Sequence, residues 1–378
     1  MSQTVEILDR LIGFDTVSAK SNLPLIDYVE AFLKSRGFRI TRLPDPTGEK
    51  AGLFATIGPE GAGVMLSAHT DVVPVEGQNW SRDPFALTRA GSRLYGRGAT
   101  DMKGFLASML TAADRASSRN LAEPLKLSIS YDEEVGCLGV AEMIGAMEAA
   151  VGRPRACIVG EPTEMQVAVG HKGKAALKAT FSGEAGHSAL APRFTNALDL
   201  AADFVAGLRE LQQKIAATGK RDQAYAIPYT TLHIGKLSGG TALNIVPDHA
   251  KAIFEYRHLA EDSPEMIEAE INRIAGAISS AHPNGGVKIE RVNAYPGLAT
   301  GRAESVVTLA KTLAQTNDTT KVAFGTEAGY FSAAGVPTIV CGPGSMEGQG
   351  HKADEYVEES QLAACDQMMD RLLDTLTR

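Results

Sequence analysis

The 378 residues are 44% hydrophobic and 22% charged, so the chain can bury a large core and is long enough for two domains. A formal net charge of −8 argues against a general binder of phosphate backbones or anionic membranes, which needs a basic face, and favours small-molecule partners. No run reaches the roughly 18 apolar residues of a spanning helix, and Cys137, Cys157, Cys341 and Cys365 are too scattered to form a CxxC pair, so they read as buried free thiols.

The chain opens on "MSQTVEILDRLIGFDTV", where Glu6, Asp9 and Arg10 interrupt the apolar positions. That pattern predicts an amphipathic helix and not a signal peptide, which makes the cytoplasm the expected location. Next comes the β-rich run "GVMLSA", closed by the polar cluster "HTD". Apolar residues then recur at three and four through "GFLASMLTAADRASS", predicting a helix. The same alternation repeats with "LKLSIS" closed by "YDEE", the helical "GVAEMIGAMEAAV", and "ACIVG" closed by "EPT". A fourth run near the end, "PTIVC", leads into "GPGSMEGQGHK". This is the pattern of an α/β sheet, in which chemistry gathers beyond the carboxyl ends of the strands.

Residues 173–293 follow a different pattern. "KAALKATFSG" reads as a strand, "TNALDLAADFVAGLRELQQKIAA" as a long helix, and "YTTLHIGKLSG" and "NIVPDHAKAIFEYRHL" as strands; "EMIEAEINRIAGAISS" is a helix and "GVKIERVN" a last strand. The order β-α-β-β-α-β predicts a ferredoxin-like domain inserted into a catalytic domain made of residues 1–172 and 294–378, with a cleft between the two.

The strand-end clusters hold an unusual concentration of acids and imidazoles. In "SAHTDVV", Asp71 lies two residues beyond His69, close enough to orient the imidazole as carboxylates do behind metal-binding histidines. Asp101 sits in the Gly-rich loop "YGRGATDMKGF" as a helix begins; helix capping explains it as well as ligation does. Glu133 and Glu134 in "YDEEVG", Glu161 in "GEPT" and His351 in "GQGHKADEY" complete the set. So many carboxylates together would repel one another, whereas two divalent cations reverse the local charge. A consistent assignment has Asp101 bridging two metals, His69 and Glu161 completing one, and Glu134 and His351 the other. Nitrogen and oxygen donors suit zinc, with cobalt or manganese as substitutes. Adjacent residues of an extended segment point apart, which leaves Glu133 free to take a proton from the attacking water and return it to a departing amine.

The runs "HTDVVPV", "GRGATDMKGF", "DEEVG", "GEPT", "GHKGK", "GHSA" and "GPGS…GHKADEYV", in this order along nearly the whole chain, resemble the M20 metallopeptidase and amidohydrolase family. The resemblance implies a zinc-peptidase-like catalytic domain on a mixed sheet, with the inserted domain serving as lid and dimerisation surface. It implies the same ligand set, with Asp71 supporting His69, Glu133 as general base and acid, and a cis peptide at Asp101-Met102. It also implies a homodimer through residues 173–293, in which His187 of "GEAGHSALAP" reaches an active site across the interface and hydrogen-bonds the oxyanion. Asn244 and Arg257 match positions that bind the substrate's α-carboxylate; pairing of Arg257 with Glu255 or Asp248 is the competing reading. In "FGTEAGYF", Glu327 is expected either to pair with a substrate ammonium or to stand in the first turn of a helix capped by Thr326. The implied reaction is removal of an acyl group from an N-acyl amino acid, first among them N2-acetyl-L-ornithine. Succinyl-diaminopimelate desuccinylation and dipeptide or carboxypeptide hydrolysis are the alternatives.

Overall fold

The computed structural model describes residues 2–377. Two compact units are present: one comprises the chain up to Gly170 with Thr300–Val322 and the stretch from Thr326 onward, the other His171–Ala299 with Ala323–Gly325.

The larger unit is built on a mixed sheet. Through its centre the strands run in the order Arg39–Pro44, Ala51–Ile57, Leu125–Ser130, Val64–His69, Ala156–Val159 and Thr338–Val340. The first two are antiparallel to their neighbours, while the last four are mutually parallel. Those four are the apolar runs that end in polar clusters. Because they are parallel neighbours, their carboxyl ends lie along one sheet edge, and the clusters meet there without any long-range coincidence. Val64–His69, Leu125–Ser130, Ala156–Val159 and Thr338–Val340 are buried at every position, as strands covered on both faces must be.

The helix Lys103–Ser117 is buried over most of its length between the sheet and the helices Gln3–Ile12 and Glu359–Thr377. Gln3–Ile12 is the predicted amphipathic helix; the Ser2 hydroxyl accepts from the Val5 amide and caps it. "GVAEMIGAMEAAV" is not one helix. It divides into Leu138–Met143, a 3-10 turn at Ile144–Ala146 and Met147–Val151, with Gly145 at the break. A small antiparallel sheet of Thr88–Ala90, Arg93–Tyr95 and Tyr356–Glu358 also escaped the sequence pattern, its strands being three residues each. No helix among the described residues is long and apolar enough to cross a membrane. The four cysteines are buried free thiols.

Gly160, between the strand Ala156–Val159 and Glu161, has a steric reason to be glycine: a Cβ there would fall 2.0 Å from the Phe105 ring. Gly160→Ala is expected to cost about 1–3 kcal/mol through overpacking. A lower denaturant midpoint at unchanged slope is the measurement.

The smaller unit has the β-α-β-β-α-β order. Its four-stranded antiparallel sheet runs Thr231–Gly239, His249–His258, Gly173–Ser182, Gly286–Tyr295, with the helices Ala197–Thr218 and Pro264–Ala281. Asn196 and Ser263 cap these helices through their side chains. Phe204 packs edge-on against Phe181 and Phe254, at centroid distances of 5.6 and 5.5 Å, inside a core separate from that of the larger unit. "NIVPDHAKAIFEYRHL", read as one strand, is two: Ile245–Val246 and His249–His258, with Pro247, which has no amide hydrogen to give a ladder, between them. The short piece pairs with Gly186–His187 instead.

Candidate metal centre

His69 is the last residue of the strand Val64–His69 and is fully buried. Its Nδ1 lies 3.0 Å from the Asp71 carbonyl oxygen and 3.5 Å from Asp71 Oδ1. The opposite nitrogen, Nε2, faces Asp101 Oδ1 at 3.1 Å and Glu161 Oε1 at 3.7 Å. With Nδ1–H donating to the Asp71 carbonyl, Nε2 is directed at these acids, donating a proton to Asp101 when the ring is charged and free to offer its lone pair once a cation takes the place of that proton. The Asp71 carboxylate does more than face the imidazole. It accepts from the amides of Glu133 (3.0 Å) and Glu134 (3.3 Å) and from the Ser18 hydroxyl (2.7 Å), fixing the turn that carries both glutamates.

Asp101 follows the Gly-rich loop, and its peptide bond to Met102 is cis. Its two oxygens diverge: Oδ1 faces His69 Nε2, and Oδ2 faces His351 Nε2 at 3.2 Å. His351 Nε2 also stands 3.0 Å from Glu134 Oε2. Five side chains thus come together, His69, Glu134 and Glu161 from strand ends and Asp101 and His351 from loops. The three acids of "YDEE" separate in the same place. Asp132 turns away to Lys50 Nζ at 2.5 Å, Glu134 turns to His351, and Glu133 is half-buried with Oε1 accepting from the Cys137 thiol at 3.3 Å.

The donor set fits metal ions. His69, Asp101 and Glu134 each offer an atom within 4.8 Å of the others, and so do His69, Glu133 and Glu161. Glu133 is therefore within reach of the second group as well, so proximity alone does not distinguish it from a ligand. The glutamates differ in hydrogen bonding: Glu134 Oε1 and Glu161 Oε1 are buried without a hydrogen-bond partner, a costly arrangement, whereas neither oxygen of Glu133 is in that state.

Electrostatics in the absence of cations agrees. Burial and the Asp101 charge push Glu161 well above the usual carboxylate range and Glu134 up to about 7; burial first, and then its acidic neighbours, push Glu133 well up. Hydrogen bonds to Asp101 and Glu134 push His351 up to about 10. Burial opposes ionisation of Asp101, but hydrogen bonds from the two histidines outweigh it and hold its carboxyl low. The site retains protons wherever positive charge is missing.

The family model for peptidase family M20/M25/M40 matches residues 65–375. The chain belongs to this family. Acetylornithine deacetylase from Myxococcus xanthus is 33% identical over 370 residues, covering 96% of this chain and 95% of that protein. The acetylornithine deacetylase of Photorhabdus laumondii is 31% identical over 379 residues, covering 98% and 96%. Among solved structures, an M20 metallo-carboxypeptidase from Sulfolobus solfataricus superposes with a TM-score of 0.82 at 19% identity over 100% of this chain and 99% of its own. A dinuclear metal binding peptidase of the M20 family from Bacillus subtilis does so at 0.71 and 15%, over 99% and 98%. At these identities the structures show a shared M20 fold.

The remaining predicted residues divide between the two units. In the smaller one, His187 pairs through its backbone with Ile245, and the Ser188 amide donates to the Asn244 carbonyl at 3.1 Å, so the chain brings His187 and Asn244 together. The exposed His187 ring accepts at Nδ1 from the Ala189 amide (3.1 Å), which puts its proton on Nε2 as a donor. Arg257 Nε donates to Glu255 Oε1 at 3.0 Å, the competing reading of that residue. Glu327 belongs to the larger unit. It is 1% exposed, its carboxylate accepts from Ser67 Oγ at 3.3 Å and from Ser130 Oγ, and burial pushes it up to about 7. Thr326 Oγ1 accepts from the Ala328 amide at 3.0 Å, as a helix start requires. The Gly-Thr turn signalled the helix correctly but carried no sign that the acid would be enclosed between two strand hydroxyls.

Sequence reasoning missed the Cys137 thiol on Glu133, the Ser18 contact to Asp71, and a buried pair, Arg97 and Glu355, behind Asp101. No local signal in "GRGATD" or "ADEYV" marks Arg97 and Glu355 as a pair.

Proposed function

We propose that this M20 enzyme hydrolyses the amide of N-acyl amino acids, with N2-acetyl-L-ornithine the preferred substrate and L-ornithine and acetate the products, as in arginine biosynthesis. The observation that carries the hydrolase reading is the divergence of the two Asp101 oxygens toward His69 and His351 beside the unpartnered oxygens of Glu134 and Glu161. Substrate choice is supported by the deacetylases at 31–33% identity over nearly the full length. The desuccinylase and dipeptidase readings use the same centre, and the solved relatives include peptidases. A panel of N-acetyl and N-succinyl amino acids and dipeptides at fixed metal loading separates them. The deacetylase reading fails if a dipeptide or a succinyl substrate has the higher kcat/KM.

His69 and Glu161 would hold one divalent ion, Glu134 and His351 the other, and Asp101 both, with zinc the best match to these donors. When bound, such ions polarise the acyl carbonyl and acidify the attacking water. Glu133, half-buried beside the ligands, takes the proton from that water as its oxygen bonds to the acyl carbon. As the C–N bond breaks, Glu133 gives the proton to the nitrogen, so the amine leaves neutral and the acyl group leaves as the carboxylic acid, which passes its remaining proton to the amine or to water to give carboxylate and ammonium. Asp71 keeps Glu133 and Glu134 apart by binding both amides. The cytoplasm is the proposed setting.

In this reading the chain works as a homodimer through residues 173–293. His187 donates from Nε2 to the oxyanion of its partner's site, and Asn244 and Arg257 receive the substrate carboxylate. His187→Ala is expected to lower kcat by about 10²–10³, the range for loss of one oxyanion donor, with metal content unchanged. Mixing inactive His187→Ala with inactive Glu133→Ala protein should restore activity in hybrid dimers; no recovery after subunit exchange would place His187 in its own subunit's site.

A further inference from the structure

Asp101 and His351 are supplied by loops 250 residues apart in sequence, and a buried ion pair lies directly behind both. Arg97 and Glu355 are each 1% exposed. Glu355 Oε1 accepts from the amides of Thr100 (2.9 Å) and Asp101 (3.1 Å), and Oε2 accepts from Arg97 Nη1 at 2.6 Å. Arg97 Nη2 donates to Gln78 Oε1 at 2.5 Å, and Gln78 Nε2 donates to the His351 carbonyl at 3.1 Å. The guanidinium also lies 5.0 Å from the Trp80 ring centroid. One continuous set of bonds therefore runs from the Asp101 amide through Glu355, Arg97 and Gln78 to the His351 backbone.

From this geometry we infer that Arg97, Glu355 and Gln78 are positioning residues that set the spacing of Asp101 and His351 and so the affinity of the centre for its second ion. Burying two charges is costly, and a hydrophobic replacement is often as stable, so stability alone does not account for the pair. His351 needs such support. It sits at a positive φ of 59° in a loop, with its side chain 45% exposed, and the core does not hold it. The planar guanidinium fork joins two acceptors at fixed angles, which a lysine would not do.

The inference rests on the metal reading above; failure of the parent chain to bind two ions would sink that reading, whereas a difference between parent and variants tests this one. The measurement is zinc affinity of metal-free protein by competition with a chromogenic chelator, alongside thermal melting of the same metal-free samples. Arg97→Met with Glu355→Gln removes both buried charges yet keeps an amide oxygen for the Thr100 and Asp101 amides. The double variant should melt near the parent but bind its weaker zinc 10–100-fold less tightly, the range for lost outer-shell partners. Gln78→Ala, at a half-buried position where folding is not at stake, should weaken the same zinc severalfold and leave KM unchanged. Parent-like zinc affinity in both variants would overturn the inference and reduce the pair to a structural ion pair.

Discussion

Glu133→Gln is expected to lower kcat by about 10²–10⁴, the usual contribution of a positioned general acid–base, while the protein still binds two metal ions with parent-like affinity. The expectation follows from how differently the neighbouring glutamates are held. Glu134 Oε1 and Glu161 Oε1 are buried without a hydrogen-bond partner, while Glu133 is half-buried with one oxygen on the Cys137 thiol. Glutamine preserves that contact as an acceptor but cannot take a proton. The control is Glu134→Gln, which should lose an ion as well as turnover. If the Glu133 variant lost metal in the same way, the proximity of Glu133 to His69 and Glu161 would have to be read as ligation.

Removal of metal is expected to abolish turnover and to give the protein a characteristic pH dependence. Without ions, Glu134 is raised from 4.5 to about 7 and His351 from 6.5 to about 10, so the folded site holds these protons more tightly than the unfolded chain. Stability contributed by a raised group is present below its unfolded pKa and lost as pH rises through its folded one. Metal-free protein should therefore lose stability between about pH 4.5 and 7 through Glu134, and from about 6.5 upward through His351. Ion binding must displace the same protons, so it strengthens as pH rises and stabilises the native state by mass action. The melting-temperature gap between loaded and metal-free protein should widen from pH 5 to 8. A gap that is constant or narrows would show that these groups do not face the ions.

The gathering of these acids and histidines was legible in sequence because each residue follows a β-rich run or a Gly-rich loop, and the parallel pairing of four such strands puts their ends on one edge. His69, Glu134 and Glu161 needed only that rule. Asp101 and His351 needed the further assumption that two loops meet, which the small antiparallel sheet joining Tyr95 to Tyr356 provides. What stayed illegible is non-local hydrogen bonding. Nothing in "GRGATD" indicates that Arg97 pairs with a residue 258 positions on, and nothing in "SAHTD" indicates that the Asp71 carboxylate binds two amides 62 and 63 residues away. Glu327 is the clearest case. Local turn chemistry located its helix, yet only the register of Val64–His69 against Leu125–Ser130, which sets Ser67 beside Ser128 and His69 beside Ser130, explains why two hydroxyls close over its carboxylate.

The central claim, a two-ion amidohydrolase acting on N2-acetyl-L-ornithine, is tested most directly by adding zinc stepwise to metal-free protein while acetate and L-ornithine are quantified together. Equimolar products whose rate of formation rises until two equivalents are bound is the expected result. Two bound equivalents with no release of acetate would contradict it.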